Sequence, residues 1–427
     1  MARQTYTLPY GRRTLTLVLE TDAQVTELLP KETAAAPDPI GAITAALAEP
    51  VGGTCLADFK SARSVAIAIN DKTRPVPHHL LLPPLLEALE RELALPPEAI
   101  TLVIATGTHI PMPPESFASV VPPAVLARYP VVSHDCDAAD QVALGTTSRG
   151  TPVSINRRYM EADLRMVVGN VEPHHFAGYS GGVKSAAIGL AGRETITANH
   201  SLLLDARSVL ACYETNPLRQ DVEEIGRMLG VHFALNVVMN DHKEIVAAFA
   251  GSPQAVMHTA IPRLRHIYEI EVPEPFDVMI TSPGGYPKDI NLYQAHKAVS
   301  CANRVTREGG AIVLVAACED GSGSQGWETY MARGFTSHAE AMAQFTREPF
   351  RIGPHKAYIF GRDAVRLSGL WIVSDMDPKR VRQLRLTPAT LEEAVAAAVA
   401  PLPGTARVGI MPYANATIPG LRGARPG

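Results

Sequence analysis

Cysteine is scarce in this 427-residue chain, with five residues at positions 55, 136, 212, 301 and 318. The count is odd and no two of them form C-x-x-C, so neither a disulfide framework nor a cysteine-based zinc site is indicated. An excess of charge of one sign is also lacking. Lys and Arg total 39 against 43 for Asp and Glu, a formal charge of -4. That balance removes the electrostatic case for nucleic acid or an anionic membrane surface. Long apolar runs are missing too: stretches such as Ala311–Cys318 are too short to span a bilayer. The opening MARQTYTLPYGRR has no apolar signal-peptide core. The expectation is a cytoplasmic protein. Its composition, 46% hydrophobic and 19% charged, is that of an ordinary globular chain. At ~150 residues per domain, two or three domains are expected.

Short β-type runs alternate with helical patterns. Gln4–Tyr10 and Arg13–Glu20 flank Gly11 as an opening hairpin. Apolar runs follow at Val65–Asn70, Thr101–Ala105, Leu164–Val168 and Phe233–Met239. A second series is Val278–Thr281, Ala311–Ala316, Lys356–Phe360, Trp371–Ser374 and Arg407–Met411. Most lack polar alternation, as parallel strands covered on both faces do. Helical patterns at Leu81–Leu93, Pro217–Met228 and Leu391–Ala400 lie between them. This predicts an α/β architecture of two domains with mostly parallel sheets flanked by helices. The expected boundaries are 1–265 for the first domain, 266–275 for a linker containing EVPEP, and 276–427 for the second. A cleft between the two domains is the expected place for a ligand.

Five segments carry candidate chemistry, and four of them directly follow predicted strands. Asn70-Asp71-Lys72-Thr73-Arg74-Pro75 offers the planar fork of Arg74 to a carboxylate or phosphate. By itself this segment reads more simply as a surface turn capped by Asp71. Ala105-Thr106-Gly107-Thr108-His109 puts an imidazole at a strand tip, suited either to a base facing a ligand or to a loop histidine in solvent. The most informative segment is Gly169–Ser185, GNVEPHHFAGYSGGVKS. Its spacing approaches G-x-x-x-x-G-K-[ST], but Val183 stands where the second glycine belongs. A phosphate nest made by Ser180, Gly181 and Gly182 is the remaining anion-binding expectation. Lys184 reads as a counter-ion, a covalent anchor or a surface lysine. Ala198-Asn199-His200-Ser201 supplies a lone imidazole, a candidate metal ligand with no H-x-x-x-H partner. The fifth segment, Pro283–Lys297, predicts a helix from about Asn291 on which Tyr293, Gln294 and Lys297 are neighbours able to hold a carboxylate.

Together these segments resemble the nickel-pincer-nucleotide-dependent lactate racemase family. The similarity runs from the hairpin to about Gly323. EPHHFAGYSGGVKS is highly specific, and DKTRP, TGTH and GGYPKDINLYQAHK support it. One departure is Ile188-Gly189, where Pro-Gly is expected after the Lys-Ser. The resemblance implies a 2-hydroxyacid racemase or epimerase. It implies a nickel-pincer nucleotide, a pyridinium-3-thioamide-5-thiocarboxylic acid mononucleotide carrying nickel, attached covalently to Lys184 and made by separate cofactor-synthesis proteins. His200 corresponds to the nickel ligand, and His109 and His174 to the acid/base pair. Asp71, Thr73, Arg74, Ser180 and Ser185 correspond to cofactor neighbours. Arg74, Tyr293, Gln294 and Lys297 correspond to substrate contacts.

Elementary chemistry agrees with that assignment. Taking the hydrogen of a 2-hydroxy acid as a proton leaves charge beside an ionised carboxylate, whereas taking it as hydride does not. The hydroxyl proton must then leave to a base, and each hand presents its hydroxyl differently, so two imidazoles are needed. His174 is preferred to His175 because it directly follows Pro173, and because neighbours on an extended segment point to opposite sides. Phe176 and Tyr293 are candidates for shaping the substrate pocket. Rival readings are an NAD-type dehydrogenase, which lacks its G-x-G-x-x-G, a nucleotide-dependent transferase, and a non-catalytic carrier of the modified nucleotide.

Overall fold

The computed structural model describes residues 2–74 and 76–423, in two compact units. The first comprises residues 32–267. Its six-stranded sheet runs in the order Ile245–Gly251, Phe233–Met239, Leu164–Asn170, Val65–Asn70, Ile100–Ala105 and Val131–Ser133. All neighbours are parallel except the first pair, an antiparallel edge. Val65–Ile69 and every residue of Phe233–Met239 are buried, which explains why neither run alternates with polar residues. The helix His78–Leu93 contains Pro83 and Pro84, and it buries Leu81, Leu82, Leu85, Leu86, Leu89 and Leu93 in the core. Those leucines, at ~1.5–3 kcal/mol each, outweigh two interior prolines at ~3 kcal/mol each. Helix Pro217–Leu229 begins where the Asn216 side chain accepts from the Arg219 amide and ends at Gly230, φ 61°.

This sheet sets the position of the chemistry. Val65–Asn70 lies between Ile100–Ala105 and Leu164–Asn170, all running the same way. Asn70 is directly opposite Ala105. The segments that begin at Asp71, Thr106 and Val171 therefore leave from one edge, the C-terminal edge, where ligands of such sheets bind.

The second unit comprises residues 2–31 with 268–423. Its sheet is wholly parallel, in the order Thr387–Pro388, Gly369–Val373, Thr306–Val315, Phe276–Thr281, Arg407–Met411 and Gln24–Glu27. The hairpin Ala2–Tyr10 with Arg13–Thr21 packs Leu8, Leu17 and Leu19 against Val278, Val313 and Ile410. Three expectations need correction here. Residues 2–31 do not belong with the first domain, because Gln24–Glu27 completes a sheet whose partner strand lies near the other end of the chain. The expected linker 266–275 contains the end of helix Pro253–Tyr268 and the strand Glu269–Val272, which pairs with Ile418–Leu421. Lys356–Phe360 is not a strand but part of the helix His355–Ala364. That helix buries His355, Lys356, Ala357, Ile359, Phe360 and Asp363. A five-residue run such as Lys356–Phe360 is too short for periodicity to tell a strand from a buried helix segment.

Candidate active site

At the C-terminal edge of the first unit's sheet, Asp71 is buried and engaged through both oxygens. Its Oδ1 accepts from the Thr73 amide at 3.1 Å and from the Thr73 hydroxyl at 2.6 Å. Its Oδ2 lies 2.7 Å from Nδ1 of His109. Burial pushes the Asp71 carboxyl up, but hydrogen bonds from His109 and Thr73 outweigh it and hold the group below its usual range. Asp71 is thus an ionised carboxylate bonded to the imidazole. The His109 side chain is about half exposed, with 48% of its surface accessible, so it has one ring nitrogen fixed and solvent access besides. Its loop is tied down by Gly107, φ 56°, whose amide donates to the Gly189 carbonyl at 3.0 Å. Arg74 folds back onto the carbonyl and hydroxyl of Thr73 at 3.3 and 3.2 Å.

The glycine-rich segment folds as a miniature hairpin, Pro173–His174 against Gly178–Tyr179. Gly178 is obligatory, since a Cβ there would lie 1.7 Å from the Cys212 carbonyl oxygen. The Ala177 amide donates to Nδ1 of His174 at 3.2 Å. The rings of His174 and His175 are stacked, with centroids 5.0 Å apart and planes 16° apart. The expectation that such neighbours point to opposite sides therefore fails: the chain turns here rather than running extended. Phe176 sits edge-on to His174 at 4.6 Å and to His200 at 5.4 Å, bringing His174 and His200 against one aromatic ring.

The expected phosphate nest is also corrected. The Ser180 amide is taken by the Glu172 carbonyl at 2.8 Å, and the Gly182 amide by the Asn236 side chain at 2.7 Å. These donors hold the loop rather than an anion. Behind the loop, the fully buried Arg219 donates to the Tyr179 and Gly181 carbonyls at 2.9 and 3.1 Å and pairs with Glu223 at 2.6 Å. The Asn216 side chain takes the Phe176 carbonyl at 2.9 Å. Arg219 and Asn216 carry no motif signature, so nothing in the sequence marks this brace.

Lys184 opens the short helix Lys184–Ala187, followed by buried Ser185. His200, on helix Arg193–Ser201, is half-buried as a residue, and its shielded Nδ1 makes no well-formed hydrogen bond. Burial, then the nearby Lys184 ammonium, pushes the imidazole down to about 4, against a weak pull upward from the Ile196 backbone. It is a neutral imidazole next to a lysine, the donor type that nickel favours. The Ser180 hydroxyl is likewise buried without a partner. These residues fit a bound metal–organic group better than a packed core, where such atoms would be satisfied.

Helix Leu292–Asn303 of the second unit carries Tyr293, Gln294 and Lys297, starts within a residue of its expected position, and is capped by Asn291. Two further residues join them that the sequence did not single out. The Tyr293 hydroxyl is 3.4 Å from Nε2 of His355, and Nζ of Lys356 donates to the Tyr293 carbonyl at 2.9 Å. His296, on the same helix, is fully buried. Its Nε2 is 3.0 Å from Asp363, and its ring stacks on Phe360 at 3.8 Å.

A family profile described as the lactate racemase N-terminal domain matches residues 10–211, and one for the lactate racemase C-terminal domain matches residues 272–418. The chain belongs to the lactate racemase family. It is therefore an isomerase. The lactate racemase of Lactiplantibacillus plantarum is 30% identical over 416 residues, covering 95% of this chain and 97% of that protein. The lactate racemase of Thermoanaerobacterium thermosaccharolyticum is 32% identical over 286 residues, 66% of each. The apoprotein structure of a lactate racemase from the same organism superposes with a TM-score of 0.90 at 27% identity, covering 97% of this chain and 100% of that one. A Thermotoga maritima protein shares the fold, with a TM-score of 0.63 at 15% identity over 92% of this chain and 100% of its own. No described helix is long and apolar enough to cross a membrane.

Proposed function

We propose that this racemase inverts lactate-like 2-hydroxy acids with a nickel-pincer nucleotide held covalently on Lys184, its nickel bound by His200. Ser180, Ser185 and Thr73 are its proposed neighbours. When bound, the nucleotide supplies a reversible acceptor for the hydride of the substrate carbon. The chain's own residues do the rest. His109, backed by ionised Asp71, takes the hydroxyl proton, and the carboxylate behind it stabilises the resulting imidazolium. His174 serves the hand whose hydroxyl lies on the other side. Arg74 offers a fork for the substrate carboxylate, and Tyr293, Gln294 and Lys297 are the further proposed substrate contacts. The observation that carries the reading is the 2.7 Å bond between Asp71 and His109, at the sheet edge from which the His174 and Lys184 segment also leaves.

The proposed setting is the cytoplasm, with cofactor-synthesis proteins as maturation partners. The test is production of the full chain alongside those proteins, followed by intact-mass measurement and chiral analysis of a hydroxy-acid panel. The reading expects an adduct on Lys184 and racemisation of lactate or a close analogue. Full activity with a bare mass would exclude the pincer nucleotide. An adduct with no racemisation of any panel member would make the chain a carrier, and oxidation with free NAD would make it a dehydrogenase.

A further inference from the structure

The two imidazoles proposed as acid and base are fixed by partners of opposite kind. At His109, Nδ1 faces Asp71 Oδ2 at 2.7 Å. A carboxylate held ionised accepts and cannot donate, so the proton is on Nδ1 and the neutral ring carries its lone pair at Nε2. At His174, Nδ1 faces the Ala177 amide at 3.2 Å. A backbone N–H donates and cannot accept, so Nδ1 carries the lone pair and the proton of the neutral ring is on Nε2.

We propose that the resting protein holds His109 and His174 in opposite tautomers, with Asp71 and the Ala177 amide as the positioning groups. His109 is then a hydrogen-bond acceptor at Nε2 and His174 a donor. This rests on the reading that both rings serve the substrate. It adds a handedness that the pairing of two histidines does not contain. A 2-hydroxy acid whose hydroxyl lies on the His109 side meets a lone pair, while its mirror image meets an N–H. The resting site therefore suits one hand of substrate, and the other hand is served only after the second ring changes its protonation.

Asp71 also defines how the arrangement can be reversed. Its Oδ1 is pinned by two donors of Thr73, at 3.1 and 2.6 Å. In Asp71→Asn the amide oxygen must occupy that place, which puts the amide NH2 at the Oδ2 place, facing His109. Nδ1 then has to accept, and the ring proton moves to Nε2.

The experiment is long-range 1H–15N correlation of the full chain labelled with 15N-histidine, above about pH 8.5, where free imidazole is neutral. His109→Gln and His174→Gln assign the two signals. The expected result is an unprotonated-type Nε2 and protonated-type Nδ1 for His109, with the reverse pattern for His174. Asp71→Asn should convert His109 to the His174 pattern while the other histidine signals stay in place, which also reports that the variant is folded. The same tautomer for both rings in the unaltered chain would overturn the proposal, even if Asp71→Asn failed to fold. So would an unchanged His109 pattern in a folded Asp71→Asn chain. Because this readout needs no turnover, failure to racemise any hydroxy acid would sink the functional reading separately.

Discussion

Lys356 stands with its ammonium 4.0 Å from the centre of the Tyr293 ring while donating to that residue's carbonyl. Burial, then the neighbouring Lys297 charge, pushes this fully buried lysine down to about 7. Between about 7 and the ordinary 10.5, the unfolded chain binds the proton that the folded chain refuses. Stability should therefore rise with pH across that window, by on the order of a few kcal/mol. Thermal midpoints measured at successive pH values should show this climb in the unaltered chain and lose it in Lys356→Met. An equal climb in both chains would assign it to other groups.

His174→Ala should lower racemisation by at least about 100-fold, the scale of a lost acid/base group, and His175→Ala should retain most of it. The stacked rings make the comparison informative, since both variants remove one face of the same stack. Equal losses in chiral turnover assays would mean that the stack matters rather than the ring bonded to Ala177.

Asp71→Asn should lower kcat by about 10²–10⁴-fold in both directions. Enantiomers have equal free energy, so the two hands must share one value of kcat/KM. Any asymmetry from the tautomers must therefore change KM and kcat together, and initial rates with each pure enantiomer will show it.

On the proposed reading, His200→Ala should keep the mass adduct on Lys184 but lower racemisation by at least about 100-fold, because the imidazole is one donor to a metal that the nucleotide also holds. Intact mass and chiral turnover on the same preparation decide this. Full racemisation with the adduct in place would remove His200 from the ligand set.

Gly178→Ala should destabilise the chain far more than Gly150→Ala. Both glycines have positive φ, 71° and 86°, which alone costs about 1–2 kcal/mol for an alanine. Only at Gly178 does the added carbon meet a backbone oxygen, that of Cys212. Matched losses in thermal midpoint would show that the hairpin relaxes more easily than its packing suggests.

The strands that end at Asn70, Ala105 and Asn170 were readable because each carries an apolar run, Val65–Ile69, Leu102–Ala105 and Met166–Val168, followed by a polar break. His109, His174 and Lys184 stand out in the sequence because each lies in such a break or in the dense motif that follows it, whereas His200, a lone imidazole on a helix, stands out through the family resemblance. The groups that hold them were not readable. Asp71 was visible, but its bond to His109 depends on two strands lying side by side. Arg219, Asn216 and the Ala177 amide act from inside the fold with no local signature. Lys356 was hidden because its short apolar run reads equally well as a strand or as a buried helix segment. The stacking of His174 on His175 depends on a turn that a reading of alternation cannot contain.

The parallel pairing of Gln24–Glu27 with Arg407–Met411 has a consequence for biosynthesis. Gln24–Glu27 must wait, with its edge unmatched, until the chain as far as Met411 has emerged. Meanwhile the middle segment, 32–267, forms its own six-stranded sheet and core from its own residues. A shortened product that stops after that segment should thus carry a stray leading hairpin, and trimming before residue 32 is the rational way to obtain it as a separate piece.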